Sequence, residues 1–186
     1  TAHTVTEPTA APDARRRRPP GITFASFQPL GIDAGLTAAR WAEELGFASF
    51  WTAETTGTEA FSLLGAVGSV APDLGLGTGV LALQLRPPML AAMGAATLQT
   101  LHPDVDVILG IGISSPVVAG NWHGTEFGSR PLAQVREHIT LVRACLTGER
   151  VDFDGDFYRV KGFRLGLLPF FWALRRAFLR AFWAAS

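Results

Sequence analysis

The sequence has a single cysteine, no excess of either charge and no apolar run long enough to cross a membrane. Its one thiol, at Cys145, excludes an internal disulfide and is typical of proteins in a reducing compartment. Sixteen basic and sixteen acidic side chains cancel, so no overall field attracts nucleic acid. No secretory signal is found. We therefore expect a cytoplasmic protein without a nucleic-acid partner or a membrane span.

The sequence also lacks the usual markers of metal and nucleophilic chemistry. Its four histidines, at positions 3, 102, 123 and 138, have no ligand-like spacing with one another or with Cys145, so no metal site is predicted. No serine or cysteine lies in a recognisable nucleophile setting, and no Walker-type phosphate loop is present. An enzyme with so few reactive side chains depends on an organic cofactor.

Between residues 21 and 168 the sequence alternates β-prone runs with helical patterns. Strands are predicted over 22–27, 47–52, 74–81 and 105–109. The first helix is predicted between a cap at Asp33 and a terminator at Gly46, and the later ones over 59–70, 89–101 and 129–146, with Ser129 as the last cap. A β-hairpin over 151–160 is predicted to turn at Asp154 and Gly155, which we prefer to a calcium loop because most of the ligands are missing.

Strands that alternate with helices imply a parallel sheet, which leaves a doubly wound fold and a barrel. Neither the pair Gly77 and Gly79 nor the pair Gly110 and Gly112 is followed by the third glycine of the dinucleotide fingerprint. Half a barrel is the better interpretation, because a complete one needs about 250 residues. The predicted fold class is α/β, of the TIM (β/α)8-barrel family, with about the first four βα units and a β-hairpin.

The two ends of the chain do not follow this pattern. Residues 1–20 are rich in Thr, Ala, Pro and Arg and are predicted to form a disordered arm. Residues 169–186, PFFWALRRAFLRAFWAAS, are apolar and basic and are predicted to be helical. They indicate either a shifted reading frame or truncation, or an interfacial membrane or partner-binding helix. Exposed strand edges and this tail favour self-association, for example as a homodimer.

An ordered series of motifs over residues 21–168 resembles the luciferase-like flavin and deazaflavin oxidoreductases. The series runs through GTGVLALQLRPPMLAAMGAATLQTL, DVILGIG, GNWHG, the helix RPLAQVREHITLVRACLTGERV and the hairpin DFDGDFYRVKGFRLG. The likeness is closest to the deazaflavin-dependent branch. It implies an eight-unit barrel that transfers hydride between coenzyme F420 and a small organic substrate. The alternatives are an FMN-dependent monooxygenase of the same family and a truncated, non-catalytic barrel fragment.

The resemblance also implies which residues bind the cofactor. Gly79 and Val80 match a cis non-proline peptide bond that bulges the third strand and supports one face of the ring, and an ordinary trans strand is the alternative. Ile113, Ser114 and Ser115 match the segment that lies along the ring and its ribityl chain, although a plain loop would use the same residues. These five residues are the predicted cofactor site.

One residue is implied to be catalytic. Glu54 matches the position after the second strand where some members of the family place a catalytic histidine, so it would exchange a proton during hydride transfer. A solvated loop glutamate is the alternative. Ser115 stands where sugar-phosphate dehydrogenases of the family have a catalytic glutamate, so that substrate class is not supported. Arg86 is expected to tie down its loop, and Trp122 and His123 to form a structural turn.

Overall fold

The computed structural model describes residues 19–166, so nearly all of the arm predicted at 1–20 and all of the tail predicted at 169–186 lie outside the described residues. Within this range no helix has the length and apolarity needed to span a bilayer. The elements are β1 (Gly21–Thr23), a 3-10 helix (Ala25–Leu30), α1 (Ile32–Glu44), β2 (Ser49–Thr52), α2 (Ala60–Val70), β3 (Gly75–Ala82), α3 (Pro88–Leu101), β4 (Val107–Gly112), a π-helical turn (Val117–Trp122), α4 (Pro131–Leu146), β5 (Val151–Asp154) and β6 (Arg159–Phe163).

The first four strands form one parallel sheet in the order β1-β2-β3-β4. This order follows the chain and shows no reversal of the kind at which a doubly wound sheet binds its ligand. β5 and β6 pair antiparallel as a separate hairpin. The predicted α/β class with parallel strands is confirmed, and so is the hairpin.

The strand predicted over 22–27 is wrong beyond Thr23, because the chain turns into the 3-10 helix there. Phe24 is buried and stacks on Phe50 of the neighbouring strand, with the ring centroids 6.1 Å apart. Pro29 lies inside the 3-10 helix and has no N–H to donate to a sheet. A contact between strands therefore ends β1 early, and the local β-propensity of 24–27 does not prevail.

Both predicted serine and aspartate caps are also wrong. α1 has Gly31 at its N-cap, and α4 has Arg130 there, with no side-chain cap in either case. Asp33 lies in the first turn of α1. At α4 the start is set by Pro131 in the first helical position, where the absent N–H removes one of the donors that a cap would satisfy. The position of the proline outweighs the capping preference of Ser129.

One face of the sheet packs against the helices. Phe50, Leu76 and Leu109 point to that side and belong to the two buried apolar clusters that join the sheet to α1–α4. Thr78 is buried on the same side, where its hydroxyl exchanges hydrogen bonds with the backbone of β4. These contacts fix the positions of the strand ends that follow.

The opposite face of the sheet carries glycines and few large side chains. Trp51 lies across it, and its indole Nε1 donates to Ser49 Oγ at 2.8 Å. A Cβ atom at Gly77 would overlap the Trp51 ring, and one at Gly21 would lie 2.7 Å from the indole nitrogen. We call this surface the glycine face and define it by Gly21, Gly77, Gly79, Gly110 and Gly112.

A row of side chains on α4 holds the hairpin by its turn. The Glu137 carboxylate accepts the backbone N–H groups of Asp156, Phe157 and Tyr158 at 3.0, 2.9 and 2.6 Å. The next residue, His138, is buried, and its Nδ1 lies 3.1 Å from the Tyr158 hydroxyl. The turn residues are thus used in docking the hairpin on α4.

The buried imidazole makes stability depend on pH. Burial lowers the pKa of His138 from 6.5 to about 4. Between these two values the imidazole is protonated in the unfolded chain and neutral in the folded chain. Stability is therefore full above pH 6.5 and falls towards pH 4. Between pH 7 and pH 5 we expect a loss of about 2 kcal/mol in the free energy of unfolding. Urea unfolding at both pH values checks this, and the free energy of unfolding of His138→Leu should depend less on pH. An equal pH dependence in the two chains would contradict the prediction.

Candidate active site

The residues predicted to form the site come together where β2, β3 and β4 end. Glu54 follows β2, Gly79 and Val80 lie in β3, and residues 113–115 follow β4. The backbone N–H of Glu54 donates to the Val80 carbonyl at 3.4 Å. A Cβ atom at Gly112 would lie 2.8 Å from Val80 Cγ2, so the Val80 side chain rests directly on β4. Carboxyl ends of parallel strands are where ligands bind in α/β folds.

The third strand is irregular at its predicted cofactor position. The Gly79-Val80 peptide bond is cis, as predicted, and the register with β4 shifts between Thr78 and Leu81. Thr78 Oγ1 donates to the Gly110 carbonyl and accepts from the Gly110 N–H, both at 2.9 Å. These two bonds fasten the bulge to β4. That Gly79 and Val80 bind a cofactor stays a prediction.

The segment after β4 is held by short-range contacts. Ile113 packs against the apolar cluster of α3 and α4. The N–H of Ser114 donates to Gln84 Oε1 at 3.2 Å, and the Ser115 hydroxyl accepts from the Val118 N–H at 3.1 Å. Gln84, which the motifs did not single out, thus joins the loops after β3 and β4. The binding role of 113–115 stays a prediction.

A cluster of three charged side chains lies beside the bulge. Arg86 Nη2 is 2.6 Å from Glu54 Oε1 and 2.6 Å from Glu59 Oε1. Glu54 Oε1 also accepts the backbone N–H of Ala60 at 3.3 Å. Only 9% of the Glu54 side chain and 15% of the Arg86 side chain are exposed. The alternative of a solvated loop glutamate is therefore wrong, and Arg86 ties the loop after β3 to the segment between β2 and α2.

Glu59 fixes the start of α2 from the same cluster. Its carboxylate accepts the N–H groups of Phe61 and Ser62 at 3.2 and 2.7 Å, which makes it the N-cap. Burial by itself raises the pKa of Glu59, but the hydrogen bonds from Ser62 and Phe61 outweigh it and leave the pKa below 4.5. The cap is thus ionised at neutral pH. A carboxylate at a helix N-terminus is also favoured by the helix dipole.

A cavity of about 300 Å³ opens next to this cluster. It is lined by the loop 54–59, by Leu85 and Arg86, and by His123 at the end of the π-helical turn. His123 Nε2 lies 2.6 Å from the Thr55 carbonyl oxygen and so joins the loops that follow β2 and β4. Within residues 19–166 no group of three or more His, Cys, Asp or Glu side chains has the arrangement of a metal site.

Sequence reasoning did not find the partners in this cavity. Arg86 was identified as a loop residue, but its ion pairs reach Glu54, 32 positions away, and Glu59. His123 was interpreted as part of a turn, and its contact with Thr55 crosses 68 positions. The one signal available in the sequence was the position of these residues after neighbouring parallel strands.

The comparisons with known proteins concern the sequence family and the fold. The sequence model of the luciferase-like monooxygenases matches residues 9–170. A Mycobacterium tuberculosis protein named as a coenzyme F420-dependent oxidoreductase is 40% identical over 140 residues, which are 75% of this chain and 39% of that relative. The chain therefore spans about two fifths of the length of this curated relative.

Solved structures show the same fold at low identity. A coenzyme F420-dependent tetrahydromethanopterin reductase from Methanopyrus kandleri superposes with a TM-score of 0.71 at 18% identity, over 79% of this chain and 45% of that one. A type II Baeyer–Villiger monooxygenase of Pseudomonas putida in complex with FMN gives a TM-score of 0.65 at 18% identity, over 77% and 43% of the two chains. At this identity the likeness concerns the fold alone.

Proposed function

Because the chain belongs to the luciferase-like monooxygenase family, we propose that it forms the first four βα units of a (β/α)8 barrel and acts as a deazaflavin-dependent oxidoreductase. It transfers hydride between coenzyme F420 and a small organic substrate. The name of the relative that is 40% identical supports this choice of cofactor. The proposal includes the cytoplasmic location predicted from the lone cysteine and the neutral charge.

The observation that carries the proposal is the exposed backbone at Gly79, where β3 bulges on the glycine face. Gly79 is exposed, and a Cβ atom there would have only the Trp51 ring nearby, at 3.4 Å. A flat ring can therefore approach the backbone of 79–80 closely, and the fastened segment 113–115 borders it. These residues fit a tricyclic cofactor, which when bound supplies a two-electron hydride carrier. We assign its binding to Gly79, Val80, Ile113, Ser114 and Ser115.

Glu54 is retained as part of the proposed site, with a role set by its contacts. Its Oε1 already accepts from Arg86 and Ala60. These contacts keep the loop after β2 and the cavity wall in place. The part of Glu54 in proton transfer stays a prediction, which the Glu54→Gln substitution tests.

The second candidate is an FMN-dependent monooxygenase, favoured by the FMN complex among the structural neighbours. Reconstitution with each cofactor separates the two. With coenzyme F420 and propan-2-ol as the probe substrate, we expect the cofactor absorbance to change without oxygen uptake. Oxygen consumption with reduced FMN, together with no absorbance change of F420, would support the monooxygenase. A chain that binds neither cofactor would support the non-catalytic fragment.

A further inference from the structure

We propose that His123 is the residue that exchanges a proton with the substrate in the cavity, and that Nδ1 is the atom that does so. The inference rests on the proposed function, since this proton accompanies the hydride. It gives the chemical step to a residue 69 positions beyond Glu54, on the loop that follows β4.

The contact with Thr55 decides which nitrogen of His123 is free. A backbone carbonyl oxygen only accepts hydrogen bonds, so the imidazole Nε2, 2.6 Å from the Thr55 oxygen, must carry the proton. In the neutral ring Nδ1 is then the acceptor. A carbonyl that fixes the tautomer of a histidine in this way also fixes the orientation of its ring. Thr55 is thus the positioning residue and acts through its backbone.

The charges that face His123 across the cavity favour it over the carboxylates as the proton acceptor. Those lining the cavity are Glu54, Glu59 and Arg86, and the guanidinium pairs with both carboxylates at 2.6 Å. A proton placed on either carboxylate breaks up this cluster. Among the described residues that line the cavity, His123 is the side chain outside this cluster that can both accept and donate a proton.

The same charges indicate the class of substrate. Two carboxylates and one guanidinium give the cavity wall a net negative charge when the imidazole is neutral. A phosphate ester or a carboxylate would be repelled there, because like charges brought together in a partly desolvated site are unfavourable. The volume of about 300 Å³ suits a small molecule. The inferred substrate is an uncharged alcohol, or the corresponding carbonyl compound.

The step balances with no further reactant. In the oxidative direction the hydroxyl O–H bond of the alcohol breaks and its proton goes to His123 Nδ1. The C–H bond of the same carbon breaks, and coenzyme F420, held by Gly79 and Val80, would supply the acceptor for its hydride and the two electrons. The alcohol becomes the carbonyl compound. In the reverse direction the imidazolium returns the proton to the carbonyl oxygen.

Two substitutions of His123 separate proton transfer from structure. His123→Gln keeps an N–H that reaches the Thr55 carbonyl but takes up no proton, and His123→Phe loses both. The matched control is His102→Gln, since His102 Nε2 makes the same kind of contact, 3.2 Å from the Gly65 carbonyl, away from this cavity. With F420 and propan-2-ol we expect His123→Gln to bind the coenzyme within about twofold of the unsubstituted chain while kcat falls about 100-fold. Its pH–rate profile should lose one limb, and the profile of the control should not change.

A second measurement decides the inference without turnover. Nitrogen-15 spectra of the histidine rings should show neutral His123 protonated at Nε2, and a ring protonated at Nδ1 would overturn the inference. So would a His123→Gln chain with undiminished kcat, and that result would leave the proposed function standing. Failure of the unsubstituted chain to bind coenzyme F420 would instead contradict the proposed function, while the tautomer result still applies to His123.

Discussion

Replacement of Gly110 by alanine should lower the free energy of unfolding by about 3 kcal/mol, because the new methyl group has no space. A Cβ atom there would overlap the carbonyl oxygen of Thr78, which is backbone and has no rotamer to change. Thr78 is 1% exposed, and both of its hydroxyl hydrogen bonds go to the backbone of Gly110. The substitution therefore pushes β3 and β4 apart at the point where the site is fastened. Urea unfolding measures the loss.

Gly65→Ala is the matched control for this substitution. Gly65 lies inside α2, and a Cβ atom there would meet nothing within 4 Å. Alanine in a helix interior is favoured over glycine, so we expect a gain of about 0.5–1 kcal/mol. Two alanine substitutions should thus have opposite signs. If Gly110→Ala lowers the free energy of unfolding by no more than about 0.5 kcal/mol, the backbone of β3 shifts at little cost, and the prediction is contradicted.

Arg86→Met should cost about 3 kcal/mol, because it leaves a carboxylate charge nearly buried and without its partner. Glu54 is 9% exposed and has Arg86 as its ion-pair partner, whereas Glu59 is 44% exposed and keeps its place as the cap of α2. The loss should be smaller when Glu54→Gln is added, since the neutral amide no longer needs the guanidinium. Urea unfolding of the single and double variants measures this coupling.

Arg159→Met supplies the control for Arg86. The ion pair of Arg159 with Asp154 is as short as 2.9 Å, but both side chains are more than four fifths exposed. Water solvates either partner alone, so its loss should be within about 0.5 kcal/mol. Equal effects of Arg86→Met and Arg159→Met would show that burial of the Glu54 carboxylate does not determine the cost of losing its partner.

The alternation of strands and helices was predictable because each pattern is local. α2 and α3 begin within one residue of their predicted positions, since the apolar period and the flanking proline or glutamate lie in the same short stretch. The start of the chain was not predictable in this way. Phe24 leaves the strand because it stacks on Phe50, and no residue close to Phe24 in the sequence predicts that contact.

In the candidate site, too, local features were predictable and contacts between distant residues were not. The glycines of β3 and β4 are visible in the sequence, but they differ in the structure: Gly79 is exposed, whereas Gly110 is buried and Val80 lies against Gly112. The side chains that complete the cavity come from separate loops, so the pairing of Arg86 with Glu54 and of His123 with Thr55 depends on how neighbouring strands end. The spacing of these residues along the chain does not predict that they are in contact. Only the parallel order of the sheet brings them together.

A titration of the nitrogen-15-labelled chain with coenzyme F420 tests most directly whether the glycine face binds the cofactor. We expect saturable shifts of the backbone amides of Gly79, Val80, Ile113, Ser114 and Ser115, while the amides of β6 (Arg159–Phe163), on the separate hairpin, stay unchanged. This result would place the cofactor on the glycine face at the ends of β3 and β4. Absence of saturable shifts, or shifts confined to residues away from this edge, would contradict the proposed cofactor site.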